Sequence, residues 1–254
     1  MRSSLVYRAK LMAAQTPLLP LARELKLRFS SQRGAKYDRE AREVMRSVLR
    51  ADSVALDIGA NFGSVLRDLV KMAPGGRHHA FEPLPDLAAG LRRRFPNVTI
   101  HEVALSNRTG TTGFVYVRGD PGLSGIHPVH PAAGNLERET ITVRMERLDN
   151  IVGPNTKVDL VKVDVEGAEF WVFDGGRELL ARDRPVVLFE VASNAGNLYE
   201  GSTPKAIYRL LVGCGLKVSL MARWLSGQPA LSEAEFEYEI EKTGSFYFIA
   251  YRDA

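Results

Sequence analysis

The sequence has a single cysteine and no long uninterrupted apolar stretch. Cys214 is the single cysteine among 254 residues, so an internal disulfide is excluded and a reducing compartment is favoured. Residues 11–27, which follow a basic start, are interrupted by side chains such as Pro17, Arg23 and Lys26. This stretch is too broken for a transmembrane helix or an export signal. We therefore expect a cytoplasmic protein without a transmembrane segment.

Acidic residues are scarce at the N-terminal end. Residues 1–50 hold 12 Lys and Arg against 4 Asp and Glu, a net +8, and the remainder holds 22 against 26, a net −4, which together give +4. We expect residues 1–50 to form a basic helical arm on a main domain of residues 51–254, with at most weak contact to an anionic surface. No helix-turn-helix or aromatic-rich pattern accompanies the charge, so nucleic acid is not an expected partner.

Strand and helix patterns alternate along most of the chain. Apolar runs typical of strands occupy residues 53–57, 77–82, 97–103, 157–164, 185–191, 216–220 and 246–251, and helical spacing occupies residues 37–50, 64–72, 83–95, 168–181 and 203–212. This alternation predicts an α/β fold with a doubly wound, Rossmann-like, mostly parallel sheet and helices on both faces.

Residues 105–155 interrupt the alternation. Segments 113–118 and 140–145 alternate polar and apolar residues as exposed or edge strands do. Residues 119–135 between them are rich in Gly, Pro and His, and a loop of this length in a compact domain is typically functional. We expect it to form a lid over a substrate.

Four acidic residues each close an apolar strand: Asp57, Glu82, Asp164 and Glu190. In open α/β sheets, ligands bind beyond the carboxyl ends of the strands. Asp57 precedes a G-x-x-x-G turn, which differs from the G-x-G-x-x-G of pyrophosphate-binding proteins. Glu82, 25 positions later, is placed to accept hydrogen bonds from two ribose hydroxyls. The pattern predicts a ligand that contains a plain adenosine.

Five blocks of the sequence resemble those of FkbM-type methyltransferases. They are Asp57-Ile-Gly-Ala-Asn-Phe-Gly63, Ala80-Phe-Glu-Pro83, Val103-Ala-Leu-Ser106, Arg147-Leu-Asp149 and Leu160-Val-Lys-Val-Asp-Val-Glu-Gly-Ala-Glu169. The resemblance implies a seven-stranded methyltransferase sheet, S-adenosylmethionine as methyl donor, and hydroxyl groups of sugars or polyketides as acceptors. One departure is Asn107, where the family often has Asp.

The resemblance also implies roles for individual residues. The methionine end of the cofactor would be held by the turn after the first strand, through Asp57, Gly59, Asn61 and Gly63. Glu82 would hold the ribose. Val103 and Ala104 would line the adenine.

Asp164 and Glu190 end two strands that we expect to be neighbours, about 5 Å apart. One of them could act as a general base, or both could hold Mg²⁺. Complete proton transfer from an alcohol (pKa ~15.7) to an ordinary Asp (pKa ~3.9) would cost ~16 kcal/mol, which slightly favours a metal. His127 and His130, in the expected lid, are alternative bases.

We therefore expect an enzyme: an S-adenosylmethionine-dependent O-methyltransferase that acts on a small-molecule or glycan hydroxyl, such as one on a polysaccharide precursor. Trp224 is a candidate for stacking on a sugar. The alternatives are a nicotinamide-dependent dehydrogenase on the same type of sheet and a catalytically silent cofactor-binding scaffold. A homodimer is compatible with the sequence, which carries no signal for oligomeric state.

Overall fold

The computed structural model describes residues 32–127, 136–191 and 199–253. The helices are α1 (Gln32–Val48), α2 (Ser64–Met72), α3 (Pro85–Arg94), α4 (Leu148–Ile151), α5 (Glu169–Gly175), α6 (Arg177–Asp183), α7 (Pro204–Gly213), α8 (Met221–Leu225) and α9 (Glu233–Glu241). The strands are β1 (Ala55–Ile58), β2 (His79–Phe81), β3 (Thr99–His101), β4 (Ala104–Leu105), β5 (Gly110–Val117), β6 (Arg138–Glu146), β7 (Leu160–Val163), β8 (Val186–Glu190), β9 (Lys217–Ser219) and β10 (Tyr247–Tyr251). Most of the basic arm, part of the expected lid and His130 lie outside the described residues.

Seven of these strands form a central sheet in the spatial order β3–β2–β1–β7–β8–β10–β9. In this sheet β10 runs antiparallel to β8 and β9, and the other neighbouring pairs are parallel. The chain adds β2 and β3 on one side of β1 and then returns to its other side with β7. The predicted doubly wound, mostly parallel sheet is confirmed, and the β1–β7 boundary is its topological switch point.

Helices cover the apolar strands on both faces of the sheet. Every residue of β1 and β7 is buried, as expected for parallel strands between two helical layers. On one face, Val44 and Met45 of α1 belong to the same core cluster as Leu188 and Ile249 of the sheet. Through the described ranges, the helices lack the combination of length and apolar character needed to cross a bilayer.

The segment that interrupts the alternation forms a second sheet of three strands, in the order β4–β6–β5. Strands β5 and β6 pair antiparallel from Gly110–Met145 to Val117–Arg138, which extends both predicted strands by a few residues. Strand β4 was not predicted, because a strand of two residues has no periodicity to detect.

The single helix predicted over residues 168–181 is in fact two helices, α5 and α6, which meet at Gly175 and Gly176. A Cβ atom on Gly175 would collide with the carbonyl oxygen of Ser106, so glycine permits the chain after β4 to approach the helix. Helices α8 and α9 were not predicted. The start of α9 carries a capping box formed by Ser232 and Glu235, a pattern that is recognisable in a sequence.

Candidate active site

A cleft of about 1030 Å³ opens at the carboxyl ends of β1, β2, β7 and β8. Ligands of open α/β sheets bind at such a switch point, and ligand pockets typically measure roughly 300–1,000 Å³. One wall comes from α1 and the start of β10, and another comes from residues between 120 and 126. The cleft therefore has room for a cofactor and a second small molecule.

The turn after β1 requires glycine at two positions. Gly59 has φ +76° and Gly63 has φ +71°, in the left-handed region that glycine adopts most readily. A Cβ atom on Gly59 would collide with the carbonyl oxygen of Asp164, and one on Gly63 would lie 2.6 Å from Leu91 Cδ2. The glycines let the turn lie directly against the end of β7 and against α3.

Glu82 follows β2, borders the cleft and is 4% exposed. Its Oε2 accepts a hydrogen bond from the backbone N–H of Asn61 at 2.7 Å, and its Oε1 accepts one from Leu84 at 3.0 Å. Burial raises the pKa of Glu82 to about 7, although these two hydrogen bonds lower it. The carboxyl group is fixed in orientation and retains lone pairs for two neighbouring hydroxyls of a ligand.

Asn61 offers an unused acceptor to the cleft. Its φ is +48°, a left-handed conformation that Asn tolerates better than most residues. Its buried Oδ1 has no hydrogen-bond partner among the described residues, and the residue borders the cleft. An unsatisfied buried polar atom costs about 1–3 kcal/mol. An amino or hydroxyl group of a bound ligand would remove that cost, so the site fits a cofactor with an amino-acid end.

Lys162 lies at the centre of the switch point. Its Nζ donates a hydrogen bond to the carbonyl oxygen of Gly59 at 3.0 Å and lies 3.6 Å from Asp57 Oδ1 and 3.5 Å from Asp164 Oδ2. Burial lowers the pKa of Lys162, but Asp164 and Asp57 raise it, and the net result is a pKa above the ordinary value. The side chain is therefore a fixed cation and not a base.

Asp57 lies behind Lys162 and does not border the cleft defined by the described residues. The residue is fully buried. Burial raises its pKa, and the nearby Lys162 ammonium opposes this effect. The role of Asp57 at the methionine end of the cofactor stays a prediction, and in the structure its carboxyl group lies 3.6 Å from Lys162 Nζ.

Asp164 and Glu190 occupy corresponding positions at the ends of β7 and β8, one residue beyond the registered pair Val163–Phe189. Burial, and then the charge of Asp164, raise the pKa of Glu190 to about 8. The same two causes, in the same order, raise the pKa of Glu166 to about 9. At neutral pH the raised pKa values of Glu190 and Glu166 therefore favour the protonated form of both carboxyl groups.

The described residues do not provide the ligand set of a divalent cation. Mg²⁺ prefers octahedral coordination by oxygen atoms, whereas no group of three or more His, Cys, Asp or Glu side chains converges within the described ranges. The Lys162 ammonium is already 3.5 Å from Asp164. The predicted Mg²⁺ site at Asp164 and Glu190 is therefore not supported by the described residues.

The two residues predicted to line the adenine lie at the wall of the cleft. Val103 and Ala104 are buried and border it. Asn107, the departure from the family pattern, instead donates a hydrogen bond from Nδ2 to Asp174 Oδ2 at 3.0 Å. Its side chain is therefore used to hold α5 in place.

Two other predicted residues lie away from the described cleft. His127 is exposed, and its backbone N–H and carbonyl are both hydrogen-bonded to the Tyr199 hydroxyl, at 3.0 and 3.1 Å. Tyr199 is thus hydrogen-bonded to the last described residue before the gap in the segment that we expect to form a lid. Trp224, the candidate for sugar stacking, packs against Tyr251 with ring centroids 6.1 Å apart.

The central position of Lys162 in the cleft was not predicted, and neither was the wall formed by Tyr37 and Tyr247. A lysine inside a buried strand is itself a signal, because lysine is rarely buried without a charged partner. The two tyrosines carry no local signal, because they come from α1 and β10, near opposite ends of the sequence.

A family model described as the methyltransferase FkbM domain matches residues 57–218. Among curated proteins, 2-O-methyltransferase NoeI of Sinorhizobium fredii is 32% identical over 188 residues, covering 67% of this chain and 75% of that protein. AMB antimetabolite synthetase AmbE of Pseudomonas aeruginosa is 31% identical over 179 residues, covering 56% of this chain but 8% of the synthetase. The crystal structure of methyltransferase FkbM from Methylobacillus flagellatus KT has a TM-score of 0.50 at 14% identity, covering 81% of this chain and 45% of that one.

Proposed function

This chain belongs to the FkbM methyltransferase family, which uses S-adenosylmethionine as methyl donor, and we propose that it methylates a hydroxyl oxygen of a sugar or glycan precursor. The observation that carries the proposal is a single cleft with two ends. Glu82, at one end, suits a ribose, and the acid pair Asp164 and Glu190, at the other, faces the space for an acceptor.

When bound, the cofactor supplies a methyl group on a positively charged sulfonium. The turn residues Gly59, Asn61 and Gly63 would hold its methionine end, with Asn61 Oδ1 accepting a hydrogen bond from the amino group. Glu82 would accept hydrogen bonds from both ribose hydroxyls. The carboxylates that surround Lys162 outnumber its single positive charge, which favours a cation at this point of the cleft.

The acceptor class rests on the family and on the relative NoeI. Its name, 2-O-methyltransferase, specifies a methylated oxygen at a numbered position. A polyhydroxylated ring is a natural acceptor for such a reaction, and the space beside Asp164 and Glu190 can hold one.

We assign the general-base role to Glu190, positioned beside Asp164, with His127 as the alternative. Its pKa of about 8 reduces the gap to an alcohol to roughly 7.7 units, about 10 kcal/mol for complete proton transfer. The remaining gap shrinks once methyl transfer has begun, because the alkylated oxygen becomes strongly acidic. Proton loss therefore follows the movement of the methyl group.

The rate of wild-type enzyme should rise with pH up to about 8, because the base acts only when deprotonated and burial raises the pKa of Glu190 to about 8. Glu190→Gln should lower kcat by about 100-fold or more and abolish this rise. Initial rates of S-adenosylhomocysteine formation between pH 6 and 9 measure both effects. An unchanged pH profile in the variant would move the base role to another group.

Exhaustive chelation should leave the rate within about twofold of the untreated enzyme, because Lys162 occupies the position next to Asp164 that a metal would need. The measurement compares rates after dialysis against EDTA with rates after addition of excess Mg²⁺. A large loss on chelation that Mg²⁺ restores would reinstate the metal hypothesis.

Paired calorimetric titrations with S-adenosylhomocysteine and NADH test the proposed cofactor against the dehydrogenase alternative. Glu82 suits the ribose of either ligand, but the G-x-x-x-G turn differs from the G-x-G-x-x-G of pyrophosphate-binding proteins. We therefore expect saturable binding of S-adenosylhomocysteine and none of NADH. Binding of NADH alone would support the dehydrogenase, and binding of neither would remove the basis for the enzyme proposal.

A further inference from the structure

We propose that Tyr37 of α1 and Tyr247 of β10 form the acceptor subsite, where an uncharged sugar ring lies against the aromatic pair and the Tyr247 hydroxyl holds its reacting hydroxyl group. This inference rests on the proposed methyl transfer and adds the residues that select the acceptor. Both tyrosines border the cleft. Both also lie outside residues 57–218, the part of the chain that the family model matches.

Tyr247 is placed at the reacting end of the cleft by the sheet register. It is paired with Glu190 across the antiparallel β8–β10 boundary, so the two side chains project from the same face. Burial, followed by the charges of Asp164 and Glu190, raises the pKa of Tyr247 well above its ordinary value. The phenol therefore stays protonated and can donate a hydrogen bond to an acceptor oxygen.

The Tyr247 hydroxyl is suited to this role. Buried tyrosine hydroxyls usually have a hydrogen-bond partner, and Tyr247 is half-buried at the wall of the cleft. A ligand hydroxyl in the cleft can provide such a partner.

An aromatic surface lies beside this hydroxyl. The Tyr37 and Tyr247 rings have centroids 6.0 Å apart and an interplanar angle of 28°, and Phe246 meets Tyr37 edge-on at 4.8 Å. Both tyrosines are half-buried, so each offers apolar ring surface together with a polar tip. A pyranose has the complementary character, with apolar C–H faces and polar hydroxyl edges.

The charges around the subsite favour an acceptor without negative charge. The described cations that border the cleft each lie beside a carboxylate. Lys162 lies between Asp57 and Asp164, and Arg42 and Arg67 lie 3.6 Å and 3.9 Å from Asp68 of α2. An anionic sugar would have to displace one of these carboxylates to gain a cationic partner, whereas a neutral pyranose would not.

The test measures binding of methyl pyranosides to enzyme saturated with S-adenosylhomocysteine, by saturation-transfer NMR. The probes are the methyl glycosides of glucose, mannose and fucose, with methyl glucuronide as the anionic comparison. We expect at least one neutral probe to bind, and the glucuronide to bind about tenfold more weakly. Tyr247→Phe and Tyr37→Leu should each weaken the neutral probe by about tenfold.

Tyr251→Phe is the matched control, because Tyr251 lies on the same strand but packs against Trp224, and it should change binding by less than twofold. Each variant must bind S-adenosylhomocysteine as wild type does, which shows that it is folded. The subsite is refuted if no neutral pyranoside binds, or if both variants bind the probe as wild type does. Failure of wild type to bind S-adenosylhomocysteine would instead refute the proposed function, and the subsite with it.

Discussion

Glu82→Ala should weaken the binding of S-adenosylhomocysteine by about 100-fold or more. The substitution removes the acceptor proposed for two ribose hydroxyls, and hydrogen bonds to a charged group contribute about 1.5–3 kcal/mol each. It also leaves the backbone N–H groups of Asn61 and Leu84 without the carboxyl oxygens that now accept from them. Isothermal titration calorimetry of wild type and variant measures the change directly.

Glu102→Ala provides the matched control, because Glu102 is an exposed glutamate that pairs with Arg92 at 2.9 Å. Its affinity for S-adenosylhomocysteine should equal that of wild type. Since burial raises the pKa of Glu82 to about 7 and the ribose hydroxyls need the ionised form, wild-type affinity should also fall as pH drops from 8 to 6. Equal affinities of wild type and Glu82→Ala would show that the ribose does not bind here.

Lys162→Met should lower the free energy of unfolding by about 3–5 kcal/mol, because removing one partner of a buried ion pair leaves the others uncompensated. The orphaned groups would be Asp57, which is fully buried, and Asp164. We also expect kcat to fall, because the Gly59 carbonyl loses its hydrogen bond from Nζ and the cofactor turn loses its support. Urea unfolding and initial rates measure the two effects.

The double variant Lys162→Met/Asp57→Asn separates charge from packing. Neutralising Asp57 should restore a substantial part of the lost stability, since the buried carboxylate no longer lacks a cation. Lys217→Met, at an exposed lysine paired with Asp253, should leave stability almost unchanged. A Lys162→Met protein as stable as wild type would contradict the account of Lys162 as the charge that holds the switch point together.

The seven strands of the central sheet, and the edge of that sheet at which the cleft opens, follow from local patterns in the sequence. Helix α2 has the predicted bounds Ser64–Met72, because an apolar stripe and two flanking turns define it locally. The acids that close β1, β2, β7 and β8 could be placed at one edge of the sheet, because parallel strands share that edge. These features depend on residues that are close together in the chain.

The parts that could not be predicted depend on long-range packing. Whether Asp57 faces the cleft or lies behind Lys162 is decided by the β1–β7 register, which the sequence does not state. The contact between Tyr37 and Tyr247 joins two segments from opposite ends of the chain. The predicted Mg²⁺ site also depended on long-range packing. The sequence alone does not show that the Lys162 ammonium lies beside Asp164.

The most direct test of methyl transfer to a sugar oxygen uses S-adenosylmethionine labelled with ¹³C in its methyl group and the neutral methyl pyranosides. We expect equal amounts of S-adenosylhomocysteine and a ¹³C-labelled O-methyl sugar. In the NMR spectrum of that sugar, the labelled methyl carbon should correlate with a ring C–H. We expect Glu82→Ala to form little of either product. S-adenosylhomocysteine that accumulates without an O-methyl sugar, or the absence of any turnover with every pyranoside, would contradict the proposed methyl transfer.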